Sequence, residues 1–353
     1  MKFFRYLVII VIIIVGAFIL FLAYATIADY RPDETTPITG GSDVYIPLPD
    51  SIELDIIDWN LGYCGLDKDM DFFWDGGKGV RPEKEQVSMN LEAVLDYITG
   101  QDTVDCWLFQ EVDRDSKRSY HNDQFAAIDS ILGDYYASFG TNYNVFFVPL
   151  PVSKPYGRVL SGIASYCRFP FTGSVRYSFP GNYSWPLGLF MLDRCFMAGK
   201  IAVCGGKDLL IVNTHNSAYD DGSLRQQQME YLKEFLLEEY RKGNYVLAGG
   251  DWNQCPAGFT PGYTEHLFDT VNLMYIEDEY LPGDWTWAFD PAAPTNRRVL
   301  RPYDPGTSPT TVIDYYLLSP NIELVSVKTD HLGFEHSDHN PVRLKVKLKT
   351  ANP

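Results

Sequence analysis

Apolar and polar positions are spaced differently in successive parts of the chain. Residues 6–25 are apolar without interruption and carry no charge. As a helix, about 20 apolar residues match the hydrocarbon thickness of a bilayer. A stretch apolar on every face is not the amphipathic helix of a soluble domain, so residues 6–25 predict a membrane-spanning segment. Residues 26–50 hold Pro32, Pro37, Gly40, Gly41, Pro47 and Pro49 among polar residues, the composition of a flexible tether. Fully extended, roughly 25 residues reach at most about 80–90 Å.

From residue 51 onward, short apolar runs bounded by polar residues or glycine predict buried strands. They lie at residues 52–57, 104–109, 209–212, 245–248, 312–318 and 322–327, with strict alternation at Val342, Leu344, Val346 and Leu348. Residues 145–148, 163–167 and 175–179 add further strands, and 189–203 with 209–212 flank the hairpin signal Gly205-Gly206-Lys207-Asp208. Helical spacing appears over 82–98, where Val87, Leu91, Val94, Leu95 and Ile98 share a face, and over the shorter 125–132. A third helix opens at Ser223-Leu224-Arg225-Gln226, which reads as a capping box. It carries Met229, Leu232, Leu236 and Tyr240 on one face and stops at Gly243-Asn244. Residues 254–310 read as loops around a few short elements. The organisation is thus a membrane segment at 1–25, a linker at 26–50 and one domain at 51–353.

Charge sharpens this picture at both ends. Lys2 and Arg5 precede the apolar run and Asp29, Asp33 and Glu34 follow it, so the positive-inside rule sends the domain outward, to a periplasm or the exterior. The run exceeds the roughly 7–15-residue apolar core of a signal peptide, which favours an uncleaved anchor. A cleaved signal, using Ala23-Tyr24-Ala25 and releasing a secreted domain, is the competing reading. The formal net charge of −17 over 353 residues repels polyanions at long range and argues against tight nonspecific nucleic-acid binding. The six cysteines have no metal-knuckle spacing, which argues against a structural zinc. Cys106 and Cys167 lie in apolar runs and read as buried free thiols; Cys64 and Cys255 are a possible bridge if their loops meet.

Polar residues end several of the predicted strands: Asn60 after 52–57, Gln110-Glu111 after 104–109, Asn213-Thr214-His215 after 209–212, and Gly249-Gly250-Asp251-Trp252-Asn253 after 245–248. Asp314 stands within the run 312–318, and His336-Ser337-Asp338-His339-Asn340-Pro341 precedes the last strand. Strand ends are where α/β proteins commonly place catalytic groups. Each group alone has a bland reading. Asn60 fits a turn before Gly62, and Gly-Gly-Asp-x-Asn fits a strand-ending turn.

Taken together and in this order, Asn60, Glu111, His215, Asp251, Asn253, Asp314, Asp338 and His339 resemble the endonuclease/exonuclease/phosphatase superfamily of metal-dependent phosphoesterases. The resemblance runs from about residue 51 to the end. It implies an α/β (α+β) fold, a four-layered sandwich of two mixed β-sheets flanked by helices. It implies hydrolysis of a phosphate ester by in-line attack of water, assisted by Mg2+ with Mn2+ as the alternative. By the same resemblance Glu111 is the main metal ligand, Asn60 adds an amide oxygen and Asp338 adds a further ligand. Asp251 orients or deprotonates the water, Asn253 contacts the phosphate, and His339 contacts it too, oriented by Asp314. His215 matches the second histidine of the deoxyribonuclease-like and sphingomyelinase-like branches, not the abasic-endonuclease branch.

Nucleic acid, a phospholipid headgroup and a small phosphorylated metabolite remain as substrates, acted on by a monomer whose other partner is the membrane. The inositol-phosphatase signature is missing, because Gln254-Cys255-Pro256 follows Asn253. A non-catalytic binding protein on this scaffold is disfavoured by the intact residue set. Arg158 and Arg194 are further phosphate-binding candidates, Arg194 equally a partner for Asp193. His336 is only a neighbour of the Asp338-His339 motif, and His121, His266 and His331 have no motif context.

Overall fold

A computed structural model describes residues 2–38, 45–49, 51–218, 220–260 and 274–349; His266 lies outside them. Fifteen strands occur among these residues. In chain order they are β1 (Thr35–Pro37), β2 (Glu53–Asn60), β3 (Cys106–Asp113), β4 (Tyr136–Val148), β5 (Gly157–Cys167), β6 (Gly173–Ser178), β7 (Cys195–Val203) and β8 (Lys207–His215). There follow β9 (Tyr245–Asp251), β10 (Thr286–Ala288), β11 (Asn296–Arg297), β12 (Thr310–Thr311), β13 (Asp314–Leu318), β14 (Ile322–Thr329) and β15 (Val342–Leu348). The helices are α1 (Lys2–Ile27), α2 (Lys84–Thr99), α3 (Gln124–Ile131) and α4 (Ser223–Arg241).

Two mixed sheets pack face to face. One runs β1-β6-β7-β8-β9-β13-β10 and the other β14-β15-β2-β3-β5-β4, each with a single parallel pair, β8–β9 and β2–β3. Side chains alternate across a strand, and here both faces are covered, which explains the unbroken apolar runs. Ile56, Leu108, Ile211, Leu247 and Leu344 meet between the sheets. Their neighbours Ile57 and Trp107 face α2 and α3, while Leu210 and Val246 face α4. The result is the helix–sheet–sheet–helix stack expected.

Four readings need correction. Thr35–Pro37, inside the supposed tether, pair with β6 as an edge strand, and Leu48 is buried in the inter-sheet core. The domain therefore begins well before residue 51, and the long reach of a free tether is lost. Cys106 and Cys167 are not free thiols: β3 and β5 place them directly opposite each other, and they form a disulfide. Cys64 and Cys255 remain unbridged. The start of α4 is capped not by Ser223 but by Asp220, whose Oδ2 accepts from the backbone N–H of Gly222, Leu224 and Arg225. Finally, the stretch read as strand from 189 begins as a short 3-10 turn, Leu187–Phe190, and becomes a strand only at Cys195.

Candidate active site

Strand register brings the polar strand ends together. His215 on β8 stands beside Asp251 on β9, and Asp251 stands beside Asp314 on β13. On the other sheet, Asn60 ends β2 next to Gln110. The Asn60 amide crosses between the sheets and donates to Asp251 Oδ2 at 3.0 Å, while its own Oδ1 accepts from Gly62 N–H. His339 lies just before β15, fixed by Trp59 Nε1–H, which donates to its carbonyl at 3.0 Å. Its Nδ1 meets Asp314 Oδ2 at 2.8 Å.

Two backbone features aim side chains that a regular strand would not. The β3–β5 register shifts between Phe109 and Val112, and Glu111 within this bulge has φ 53°. A bulge with a left-handed residue turns the side chain out of the strand's alternation, and Glu111 lines the cavity. Asn253 has φ 51°, so extended geometry does not persist past Asp251. Instead Asn253 N–H folds back to Asp251 Oδ1 at 2.9 Å, an Asx-type turn, and Asn253 still lines the cavity. Gly250 has φ +141°, and a Cβ there would lie 2.1 Å from the Thr214 carbonyl, so only glycine lets β9 approach β8 this closely.

The cavity these groups line has a volume of about 420 Å³. Glu111, Asp251, Asn253, Asp338, His215 and His339 contribute to its lining; Asn60 and Asp314 stand behind, bonded to Asp251 and His339. Arg194 lines it too, whereas Arg158 does not and is turned to Asn144 Oδ1 and the carbonyls of Val145 and Val159. His336 points elsewhere, toward Asn90, and exposed His121 pairs with Asp115.

Sequence reasoning missed several lining residues. Arg118 is buried, forked onto Asp113, 3.9 Å from Glu111 Oε2 and stacked over the Tyr63 ring. Arg225 pairs with Asp220 and donates to the Asn253 carbonyl at 3.2 Å. Asn296 Nδ2 lies 2.9 Å from His339 Nε2. Arg118 sits in a 3-10 turn, Arg225 on α4 and Asn296 in the two-residue strand β11, none with a strand signal before it in the sequence. The spacing of Arg118 after Glu111 and Asp113 was their only mark.

Electrostatics follow from burial. Burial pushes the Asp251 carboxyl up to about 7; Asp314 adds to the rise and His339 offsets part of it. Asp338 is likewise pushed to about 7 by burial, with Glu111 raising it further. For His339 burial alone would lower the imidazole, but the Asp314, Asp338 and Asp251 carboxylates outweigh it and hold it well above the usual range. His215 goes the other way, depressed by burial and by the charges of Arg194 and His339. The two imidazoles, shifted in opposite directions, both approach Asp251 Oδ2, His339 at 3.9 Å and His215 at 3.5 Å.

Asp251, Asp314 and His339 offer ligand atoms within 4.8 Å of one another. Nδ1 of His339 and both oxygens of Asp314 are already joined, however, which suits proton chemistry better than metal ligation. Glu111 and Asp338 form the other acidic pair at the cavity wall.

A model of the Endonuclease/Exonuclease/phosphatase family matches residues 59–339. No curated protein matches the chain. Among solved structures, an endonuclease/exonuclease/phosphatase from Beutenbergia cavernae is 20% identical with a TM-score of 0.58, over 84% of this chain and 72% of that one. D. rerio TDP2 complexed with single strand DNA product is 13% identical, TM-score 0.53, over 83% and 98%. ANGEL2, a 2',3'-cyclic phosphatase, is 13% identical, TM-score 0.54, over 90% and 99%. At these identities the likeness is one of fold.

Proposed function

The chain belongs to the endonuclease/exonuclease/phosphatase family, and from that premise we propose that it is a divalent-metal-dependent phosphodiesterase anchored to a membrane by α1. The observation that carries the reading is the buried cluster Asp251–Asp314–His339, assembled from three strand ends and opening on an arginine-lined cavity. Arg118, Arg194, Arg225, Arg297 and Arg298 all reach that lining in a protein of net charge −17. Such a local concentration of guanidinium groups suits an anionic phosphate.

The donor set fits magnesium, with manganese as the alternative. Two carboxylates line the cavity together, half-buried Glu111 and buried Asp338, and a hard dication relieves their mutual repulsion. Glu111 and Asp338 would hold the ion, with Asn60 adding its amide oxygen. When bound, it supplies neutralisation of charge on the phosphate oxygens.

The protein's own groups supply the rest. Asp251 accepts a proton from the attacking water, held in orientation by Asn60 and by the Asn253 N–H. His339, charged and locked through Nδ1 to Asp314, presents Nε2–H to a phosphate oxygen. Neutral His215 donates a hydrogen bond without adding charge, and Asn253 contacts the phosphate. The water oxygen bonds to phosphorus, one ester P–O bond breaks, and the leaving oxygen takes a proton. The products are a phosphomonoester and an alcohol.

A screen with magnesium against DNA, sphingomyelin and a chromogenic diester tests the reading, with Asp251→Asn as the blank. Loss of the general base should lower turnover by about 10²-fold or more. Wild-type turnover that persists in chelator, or in Asp251→Asn, would overturn it.

A further inference from the structure

Helix α1 does not hang free of the domain. Its uncharged residues 6–20 are exposed apart from half-buried Gly16, and at 1.5 Å per residue they span about 22 Å, so that residues 21–25 come at the outer boundary of the roughly 30 Å of a bilayer core. The helix then enters the domain without a break. Phe21 stacks on Phe190 with ring centroids 5.8 Å apart and touches Phe146 and Phe147 at 6.0 and 6.3 Å. Tyr24 meets Phe146 edge-on at 4.9 Å, Ala25 is buried, and Trp185 Nε1–H donates to Thr26 Oγ1 at 3.2 Å. With residues 6–20 in hydrocarbon, these contacts lie at the membrane surface.

The loops that form this seat also leave apolar side chains uncovered. Leu150 is 43% exposed, Val152 83%, Trp185 64% and Leu187 45%. A patch of this kind, rimmed by polar residues, marks an interaction surface, and tryptophan and tyrosine favour the headgroup level of a bilayer. The segment carrying Trp185 and Leu187 is also a wall of the cavity, which Tyr183, Leu187, Met191 and Leu192 line. The apolar lining is thus continuous with the collar around α1.

We infer that the domain lies directly on the leaflet into which α1 runs, seated through Phe146, Phe147, Leu150, Val152, Trp185 and Leu187, and that its substrate is the phosphodiester headgroup of a lipid in that leaflet. The arginine-lined floor takes the phosphate and the apolar wall takes the first carbons of the lipid. Water and the lipid diester yield an alcohol and a phosphomonoester. The substrate half of this inference rests on the phosphoesterase reading; the seating does not.

The test uses the full chain in phosphatidylcholine vesicles with magnesium, following cleavage of the vesicle lipid and of soluble bis(p-nitrophenyl) phosphate. Wild type should cleave both. Leu150→Glu/Val152→Glu should keep its rate on the soluble diester and lose about tenfold or more on the lipid, because two aliphatic side chains forfeit their burial. A double variant equal to wild type on lipid would overturn the inference. So would a wild type that cleaves the soluble diester or a single-stranded oligonucleotide but no lipid. A photoreactive benzoylphenylalanine at Val152 should label lipid, while the same group at Met89 on α2 should not; equal labelling overturns the seating. Failure to cleave any phosphoester while Val152 still labels lipid would overturn the phosphoesterase reading and the substrate, and would support the seating alone.

Discussion

The floor and the rim of the cavity are built by opposite rules. At the floor, Asp251, Asp314 and His339 are almost wholly buried, carried by strand ends or the residue preceding a strand, and each is held by a short hydrogen bond. At the rim, Trp74, Tyr183, Leu187 and Met191 sit on loops and short 3-10 turns and are half-buried or exposed. Floor groups are fixed because a buried charge without partners is costly. Rim groups stand outside the strand register and reach solvent. The difference teaches a division of labour: reaction type is written into the sheet register, and choice of substrate into the loops.

The comparison breaks first at the floor. Glu111→Gln keeps the shape of the side chain and removes the charge proposed to hold the ion. Turnover should fall by about 10²–10³-fold, since several kcal/mol of charge stabilisation depend on that ion. The rise in melting temperature that magnesium gives wild type should vanish as well, a readout independent of activity. An undiminished magnesium shift would remove Glu111 from the metal site.

Asp314 and His339 should act as one unit. If the carboxylate works only by holding the imidazole, His339→Ala and the double variant should lose nearly the same activity. Losses that multiply would mean that Asp314 has a separate role.

At the rim the effect should be smaller and of another kind. Trp74, 39% exposed, lines the cavity but touches none of the floor groups named above. Trp74→Ala should raise KM several-fold, by about 1 kcal/mol of uniform binding, with kcat nearly unchanged. A fall in kcat alone would place Trp74 in the chemistry.

The smallest effect is on stability. Burial holds the Asp338 carboxyl at about 7 against an ordinary 3.8, so the folded state binds this proton more tightly than the unfolded one. Below about pH 4 both states are protonated and nothing is lost. Stability then falls as pH rises toward 7 and stays lower above it. In chelator, Asp338→Asn should therefore gain a few °C over wild type at pH 8 and less at pH 5, measured by thermal melts. A gain independent of pH would contradict the buried-acid account.

Sequence alone determined the sheet-forming runs, the three soluble-domain helices, the apolar N-terminal segment and the order of polar residues at strand ends. These are local signals: period-two or helical spacing, and a polar residue where burial stops. Tertiary structure decided what depends on partners far along the chain. The bulge that turns Glu111 inward exists because β5 pairs with β3 out of step. The left-handed Asn253 answers to the Asp251 carboxylate. Cys106 meets Cys167 only because their strands are neighbours in that register, and the tether became an edge strand because β6 had a free side. Arg118 and Asn296 joined the site by folding, from a 3-10 turn and a two-residue strand too short to show periodicity, since a polar side chain carries no sign in sequence of the acid or imidazole it will find.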